Sequence, residues 1–214
     1  MIKSWELSAD YPIRGIDLSH WNHPIDYLKI SENIDFVFLK ITEGTTFRDR
    51  LFEFHFQEFS KTDLAIGVYH FFNFGINGKE QATHFLNTTN ERQFQLPLVV
   101  DVEQAGNPTI SDYLVIKELK IFVDIIFEKI GQFPMIYTNG DGYNRFVQNN
   151  FDDLLIWLAG NNIDRVNTVN PMFWQFNQQG RIAGAECDID LNVFRGTRKD
   201  WEEMIKNQAQ ITIQ

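Results

Sequence analysis

Cysteine is nearly absent. Cys187 is the only one, so no disulfide forms within the chain, and no His or Cys partner stands at metal-ligand spacing from it. Cys187 reads as a small, partly buried residue, the usual fate of a free thiol. No run of about 18 apolar residues occurs, so no membrane span is expected. Met1 to Tyr11 lacks a basic start and an apolar stretch, so no signal peptide is expected either. Positive charge is scarce: 19 Lys and Arg stand against 29 Asp and Glu, a net charge of −10. That balance argues against nucleic acid or an anionic membrane surface as the main partner, although a local basic cleft would still admit an anionic polymer. A phosphate-cradling glycine loop is missing. So are solenoid-type repeats and low-complexity segments.

What is present is an ordinary globular composition, 43% apolar and 22% charged over 214 residues, suited to one domain with one sizeable core. The chain is organised around Leu96-Pro97-Leu98-Val99-Val100-Asp101-Val102-Glu103-Gln104. A short β-branched run after a proline reads as a buried strand. Alternation puts Asp101 and Glu103 on one face and Val102 on the other, with the two acidic Cα atoms about 6.5 Å apart. Like charges that close resist double ionisation, so one pKa rises and one residue type supplies both an acid and a base.

Further strands are expected at 13–19, 35–41, 65–72, 98–103, 135–138, 154–159, 172–176 and 188–194. Helices are expected at 24–30, 47–62, 78–87, 111–130 and 140–149, with Ser111 as an N-cap and Gly131 as a stop. Phe52, Phe56 and Phe59 form a core-facing stripe. Residues 1–12 read as a lead-in, 13–197 as the domain, and 198–214 as a tail of short helix and loose end. Eight strands, the first five followed by helices, argue for a closed or nearly closed α/β barrel. In such barrels the C-terminal strand ends carry the active site. Asp17, Glu43, Tyr69, Asp101, Glu103, Tyr137, Gln175 and Asp190 all gather at strand ends. Three or four carboxylates suit a divalent cation. Carboxylates interleaved with Tyr69, Tyr137, Trp157 and Trp174 suit a sugar better, since aromatic faces stack on pyranose C–H surfaces and acids protonate glycosidic oxygens. His20 and His70 fall out of phase with Asp17 and Tyr69 and read as supporting or satisfied histidines; His23, His55 and His84 read as structural or solvated.

Eight segments occur in order: Gly15-Ile16-Asp17-Leu18-Ser19-His20-Trp21, Lys40-Ile41-Thr42-Glu43-Gly44, Gly67-Val68-Tyr69-His70-Phe71, Asp101-Val102-Glu103, Pro134-Met135-Ile136-Tyr137-Thr138-Asn139, Trp157-Leu158-Ala159, Trp174-Gln175-Phe176 and Asp190-Leu191-Asn192-Val193-Phe194. Together, over about residues 14–196, they resemble the glycoside hydrolase family 25 lysozymes, N-acetylmuramidases of the Chalaropsis type. Two positions depart from that pattern. Asn22 stands where the first motif usually closes with Gln, and Asn161 stands where an aromatic usually follows Trp-x-Ala. Both bear on how a flanking sugar or peptide is held.

The resemblance implies a single-domain, TIM-like (β/α)5(β)3 barrel. It implies cleavage of β-1,4 bonds between N-acetylmuramic acid and N-acetylglucosamine in peptidoglycan. In that reading Glu103 is the proton donor. Asp101 supports the reacting sugar, as nucleophile or by holding its 2-acetamido group while that group attacks; the acetamido route is favoured. Asp17 and Asp190 orient the sugar and tune the acid. Tyr69, Tyr137, Trp157, Trp174 (as a wall), Gln175, Glu43 and Asn192 form the binding set. No metal or cofactor is expected. Peptidoglycan glycan strands are the expected partner, the chain is expected to be a monomer, and it is expected to act on the cell wall after secretion or lysis. Two rival readings are a non-catalytic wall-binding barrel and a metal-dependent hydrolase on the same scaffold.

Overall fold

The computed structural model describes residues 10–89 and 92–208. Most of the lead-in and the last six residues of the tail lie outside that range. Eight strands close a barrel: β1 (Ile13–Leu18), β2 (Phe36–Glu43), β4 (Ala65–Phe71), β5 (Val99–Asp101), β6 (Met135–Asn139), β7 (Ile156–Ala159), β8 (Phe173–Gly180) and β9 (Ile189–Phe194). A two-residue strand, β3 (Phe47–Arg48), adds to β2 outside the ring. Parallel pairing runs from β1 through β2, β4, β5, β6 and β7 to β8. β9 alone runs antiparallel, to β8 on one side and β1 on the other, and so closes the circle.

Alternation divides each strand between two cores. Ile16, Leu18, Val37, Leu39, Val68, Val100, Ile136, Leu158 and Leu191 face outward under the helices. Ile13, Phe36, Phe38, Val99, Met135, Trp157, Phe173 and Phe194 fill the barrel itself. The helices are α1 (Tyr27–Ser31), α2 (Phe52–Phe59), α3 (Gly78–Thr89), α4 (Asp112–Ile130), α5 (Gly140–Gly142), α6 (Ile163–Val169) and α7 (Arg198–Gln208), and a π-helical turn, Tyr143–Val147, extends α5. Gly131 ends α4 at φ +76° in the left-handed region, where glycine carries no steric penalty. The stripe on α2 packs as its spacing implies: Phe52 and Phe59 are buried and Phe56 stacks on Phe52.

Two elements differ from expectation, and the short helix expected in the tail is present. The helix from Phe47 begins instead at Phe52, because Phe47 and Arg48 pair with Glu43 and Thr42 across a turn at Gly44, φ +53°. Asp49 Oδ1 then accepts from Leu51 N and turns the chain into α2. The stretch between β7 and β8, read as a loop, holds α6, whose N-cap Asn162 accepts from Arg165 N. The tail contains α7, and its Trp201 packs on Phe36, Phe173 and Phe194 to seal the barrel floor.

The barrel is filled from below by phenylalanines that need glycine opposite them. A methyl group on Gly15 would overlap the Phe36 ring, and one on Gly67 would overlap the Phe38 ring. Gly15→Ala is therefore expected to lower stability by about 1–3 kcal/mol, the range for overpacking a filled core. Urea unfolding followed by circular dichroism measures it, and an unchanged midpoint would show that Phe36 has room to move.

Candidate functional site

The mouth lies where the parallel strands end. Asp17 comes from β1, Tyr69 from β4, Asp101 from β5, Tyr137 and Asn139 from β6, and Gln175 from β8. Asp190 lies near the start of β9, not at a C-terminal end. It reaches the same mouth because β9 is antiparallel, and it pairs directly opposite Asp17. Strand β5 stops at Asp101, yet Val102 N still donates to Tyr137 O at 2.9 Å. Val102 is buried outward, so Asp101 and Glu103 keep the inner side. The backbone beyond the strand is held by side chains: Thr138 Oγ1 donates to Val102 O at 2.7 Å and Asn107 Nδ2 to Glu103 O at 2.9 Å.

Glu43 reaches the mouth through a bulge. The β2–β4 register jumps from Lys40 opposite Tyr69 to Thr42 opposite His70. Thr42 faces outward and bonds His70 Nδ1 at 2.8 Å, while Glu43 turns inward and pairs with Lys40 Nζ at 2.7 Å. Strict alternation would have put Lys40 and Glu43 on opposite faces.

One carboxylate organises the buried polar groups. Asp17 Oδ2 accepts from Gln175 Nε2 at 2.8 Å and from Asn192 Nδ2 at 2.7 Å. Gln175 Oε1 accepts from the Tyr137 hydroxyl at 2.9 Å, and Asn192 Oδ1 from Trp157 Nε1 at 2.8 Å. Both amides therefore have their orientation set by what they accept. Burial lifts Asp17 to about 6, against the pull of its amide donors. Burial, then the Asp17 charge, lifts Asp190 to about 9, and Asp190 shares a hydrogen bond with Asp17. Asp101 is raised well above the carboxylate range by burial first and Glu103 second, with Lys40 pulling the other way. Glu103 is also raised, chiefly by burial, and Asn139 donates to it.

Several expected site residues lie elsewhere. Trp174 does not form a wall of the mouth. It is 2% exposed and points outward with Leu158, Nε1 donating to Gly160 O at 2.6 Å, and Tyr11 stands edge-on to its ring. The reason is parity: Trp174 and Gln175 are neighbours on one strand and cannot both face in. Trp157 faces in but lies beneath the mouth, 1% exposed and stacked on Phe38. Gln175 and Asn192 are likewise fully buried, so both act through Asp17. Tyr69, Glu43, Glu103 and Asp190 are part-exposed.

His70 is buried outward against Phe122 and is pushed down to about 3 by burial, so it stays neutral. His20 bonds Asp49, and His55 bonds the Tyr27 hydroxyl. Lys40 and Asn139 are site residues that the sequence reading does not include. The signal for each was parity: Lys40 follows Phe36 and Phe38 at intervals of two, and Asn139 follows Met135 and Tyr137. Among the described residues, no group of three or more His, Cys, Asp or Glu is arranged to hold a metal ion. No described helix is long and apolar enough to cross a membrane.

A closed α/β barrel whose mouth gathers five carboxyl groups, Asp17, Glu43, Asp101, Glu103 and Asp190, fits a glycoside hydrolase. The family model described as glycosyl hydrolases family 25 matches residues 16–185, and the chain belongs to that family. A family 25 glycosyl hydrolase structure from Bacillus anthracis superposes with a TM-score of 0.80 at 29% identity, covering 90% of this chain and 93% of that one. Lysozyme M1 of Streptomyces globisporus is 25% identical over 92% of this chain and 72% of its own length. The uncharacterized protein YegX of Escherichia coli is 28% identical over 93% of this chain and 75% of its own.

The raised acids set a pH dependence. Unfolded, Asp17 and Asp190 ionise near 3.8; folded, near 6 and 9. The native state thus holds protons that the unfolded chain releases. Stability from these groups is complete below about pH 4 and is lost as pH rises through 6 and then 9. His70 acts oppositely, costing stability below its unfolded value of 6.5, but equally in any mouth variant. Asp190→Asn keeps a donor for Asp17 and cannot ionise. Its melting temperature relative to wild type is expected to climb between about pH 5 and pH 9. A gap that stays constant with pH would show that Asp190 is not held protonated.

Proposed function

We propose that this chain is a peptidoglycan hydrolase of the lysozyme type. It cuts the β-1,4 bond from N-acetylmuramic acid to N-acetylglucosamine, with retention of configuration and participation of the substrate's 2-acetamido group. The observation that carries this reading is Asp101. Its Oδ1 is buried and has no hydrogen-bond partner, although Glu103 stands beside it. A buried acceptor without a donor is costly, and an acetamido N–H entering the mouth is a donor of the right kind. Binding it favours the Asp101 carboxylate, whose charge in turn favours a protonated Glu103.

The steps follow from those positions. The acetamido oxygen attacks the anomeric carbon and forms the new C–O bond. The glycosidic C–O bond breaks as Glu103 gives its proton to the leaving oxygen. Asp101 orients the acetamido group and offsets the positive charge of the oxazolinium. Water then attacks the anomeric carbon from the vacated side, Glu103 takes its proton, and the acetamido oxygen leaves. Asp17 and Asp190 face the same sugar; Tyr69 and Glu43 line the approach. Asp101 ends β5 and Glu103 lies two residues on, both on the inner side, so this pair does not flank the bond from two faces as a water-activating arrangement would. Inverting enzymes instead hold their carboxyls roughly 6.5–9.5 Å apart on opposite sides of the bond. Family membership, and the lysozyme name of the Streptomyces relative, support the substrate class.

Digestion of purified peptidoglycan, with identification of the new reducing ends, tests the proposal: N-acetylmuramic acid ends are expected, and N-acetylglucosamine ends or no cleavage would refute it. Glu103→Gln is expected to lose about 10²–10⁴-fold in kcat while keeping its fold, since an amide has no proton to give. Near-normal turnover in that variant would place the acid elsewhere.

A further inference from the structure

Trp21 is the most exposed large apolar side chain among the described residues, at 77%. A lone exposed aromatic means little. This one belongs to a built rim. Its ring lies over the His20 imidazole, centroids 4.5 Å apart at a 38° tilt. His20 is fixed by Asp49, whose Oδ2 accepts from the His20 backbone N at 3.0 Å and stands 2.7 Å from Nδ1. The Asp49 side chain is completely buried. His20 also packs against Phe47, a half-exposed ring on β3, at 5.9 Å. Phe47 pairs with Glu43, and Lys40 Nζ sits 5.5 Å from the Phe47 ring. The strip from Trp21 through His20 and Phe47 therefore runs without a break into the Lys40–Glu43 edge of the mouth.

The turn that carries Trp21 is rigid too. Asn22 Oδ1 accepts from Ser19 N at 2.9 Å, and Asn22 Nδ2 donates to Asp188 O at 3.2 Å. The second bond ties the turn to the segment that leads into β9 and Asp190. An indole with one face on a fixed imidazole and the rest in water is pre-organised to stack on a flat apolar surface, with little conformational entropy to lose.

From this geometry we propose that Trp21 is the platform of a further sugar subsite. It takes the C–H face of an N-acetylated pyranose lying outside the reacting pair, on the β1–β2 side of the mouth. This rests on the glycan-cleaving reading given above and specifies its substrate as an extended strand. The contact is the same in ground and transition states, so it lowers KM without changing kcat.

The test compares wild type, Trp21→Ala and Trp21→Phe on long, uncrosslinked peptidoglycan strands. The tetrasaccharide of two repeating units, which offers fewer sugars beyond the reacting pair, serves as a competitor whose inhibition constant is read in the same assay. Trp21→Ala is expected to raise KM on long strands about three- to tenfold with kcat unchanged, and Trp21→Phe to recover most of the loss. The inhibition constant of the tetrasaccharide is expected to stay the same. An unchanged KM, or an equal loss for strand and tetrasaccharide, would overturn the subsite while leaving the glycan-cleaving reading intact. A wild-type protein that cuts no strand would overturn both.

Discussion

Two amide N–H groups converge on one oxygen, Oδ2 of Asp17, and the rest of the mouth depends on that convergence. Gln175 and Asn192 come from β8 and β9, so the contact spans the point where the barrel closes. Each amide is oriented by a donor of its own, Tyr137 for Gln175 and Trp157 for Asn192. The network reaches from the stacked aromatic floor to the acids above it. Without those donors a carboxyl only 8% exposed would have only the Asp190 hydrogen bond to set against burial, and burial favours the neutral form. With them, Asp17 holds its pKa near 6 and gives Asp190 a partner that keeps it protonated.

The fold supplies the second constraint. A barrel forces every strand to choose a face for each side chain. Phenylalanines fill the lower layers, and the same inward parity then carries Lys40, Tyr69, Asp101, Tyr137, Asn139 and Gln175 into the upper layer. Five carboxyls gathered there, Glu43 included, repel one another, and desolvation adds to the repulsion. Lys40 is the nearby cation that offsets it for both Asp101 and Glu103. The cluster consequently holds protons at neutral pH, the state an acid catalyst needs.

Much of this was legible from residue order. Period-two alternation marked the eight barrel strands within a few residues, and the pairing of Asp101 with Glu103 followed from counting. What escaped was set by contacts between distant segments. The bulge at Ile41 that brings Glu43 beside Lys40 depends on pairing with β4. The antiparallel run of β9, which puts Asp190 at the mouth from the start of its strand, depends on closure with β1. Phe47 was drawn out of a helical pattern by two backbone pairings to β2. Trp174 was a different kind of miss. Its outward direction was already implied by the inward direction of Gln175, and the aromatic character of the residue obscured the parity.

The central claim is that Glu103 protonates the leaving oxygen on one face of the sugar while the substrate's own acetamido group, held by Asp101, attacks from the other. Proton NMR of the first-formed product, recorded before mutarotation, tests it most directly. The account predicts a β-anomer at the new N-acetylmuramic acid end. An initial α-anomer would mean that water attacks the far face directly, which this arrangement of acids does not accommodate.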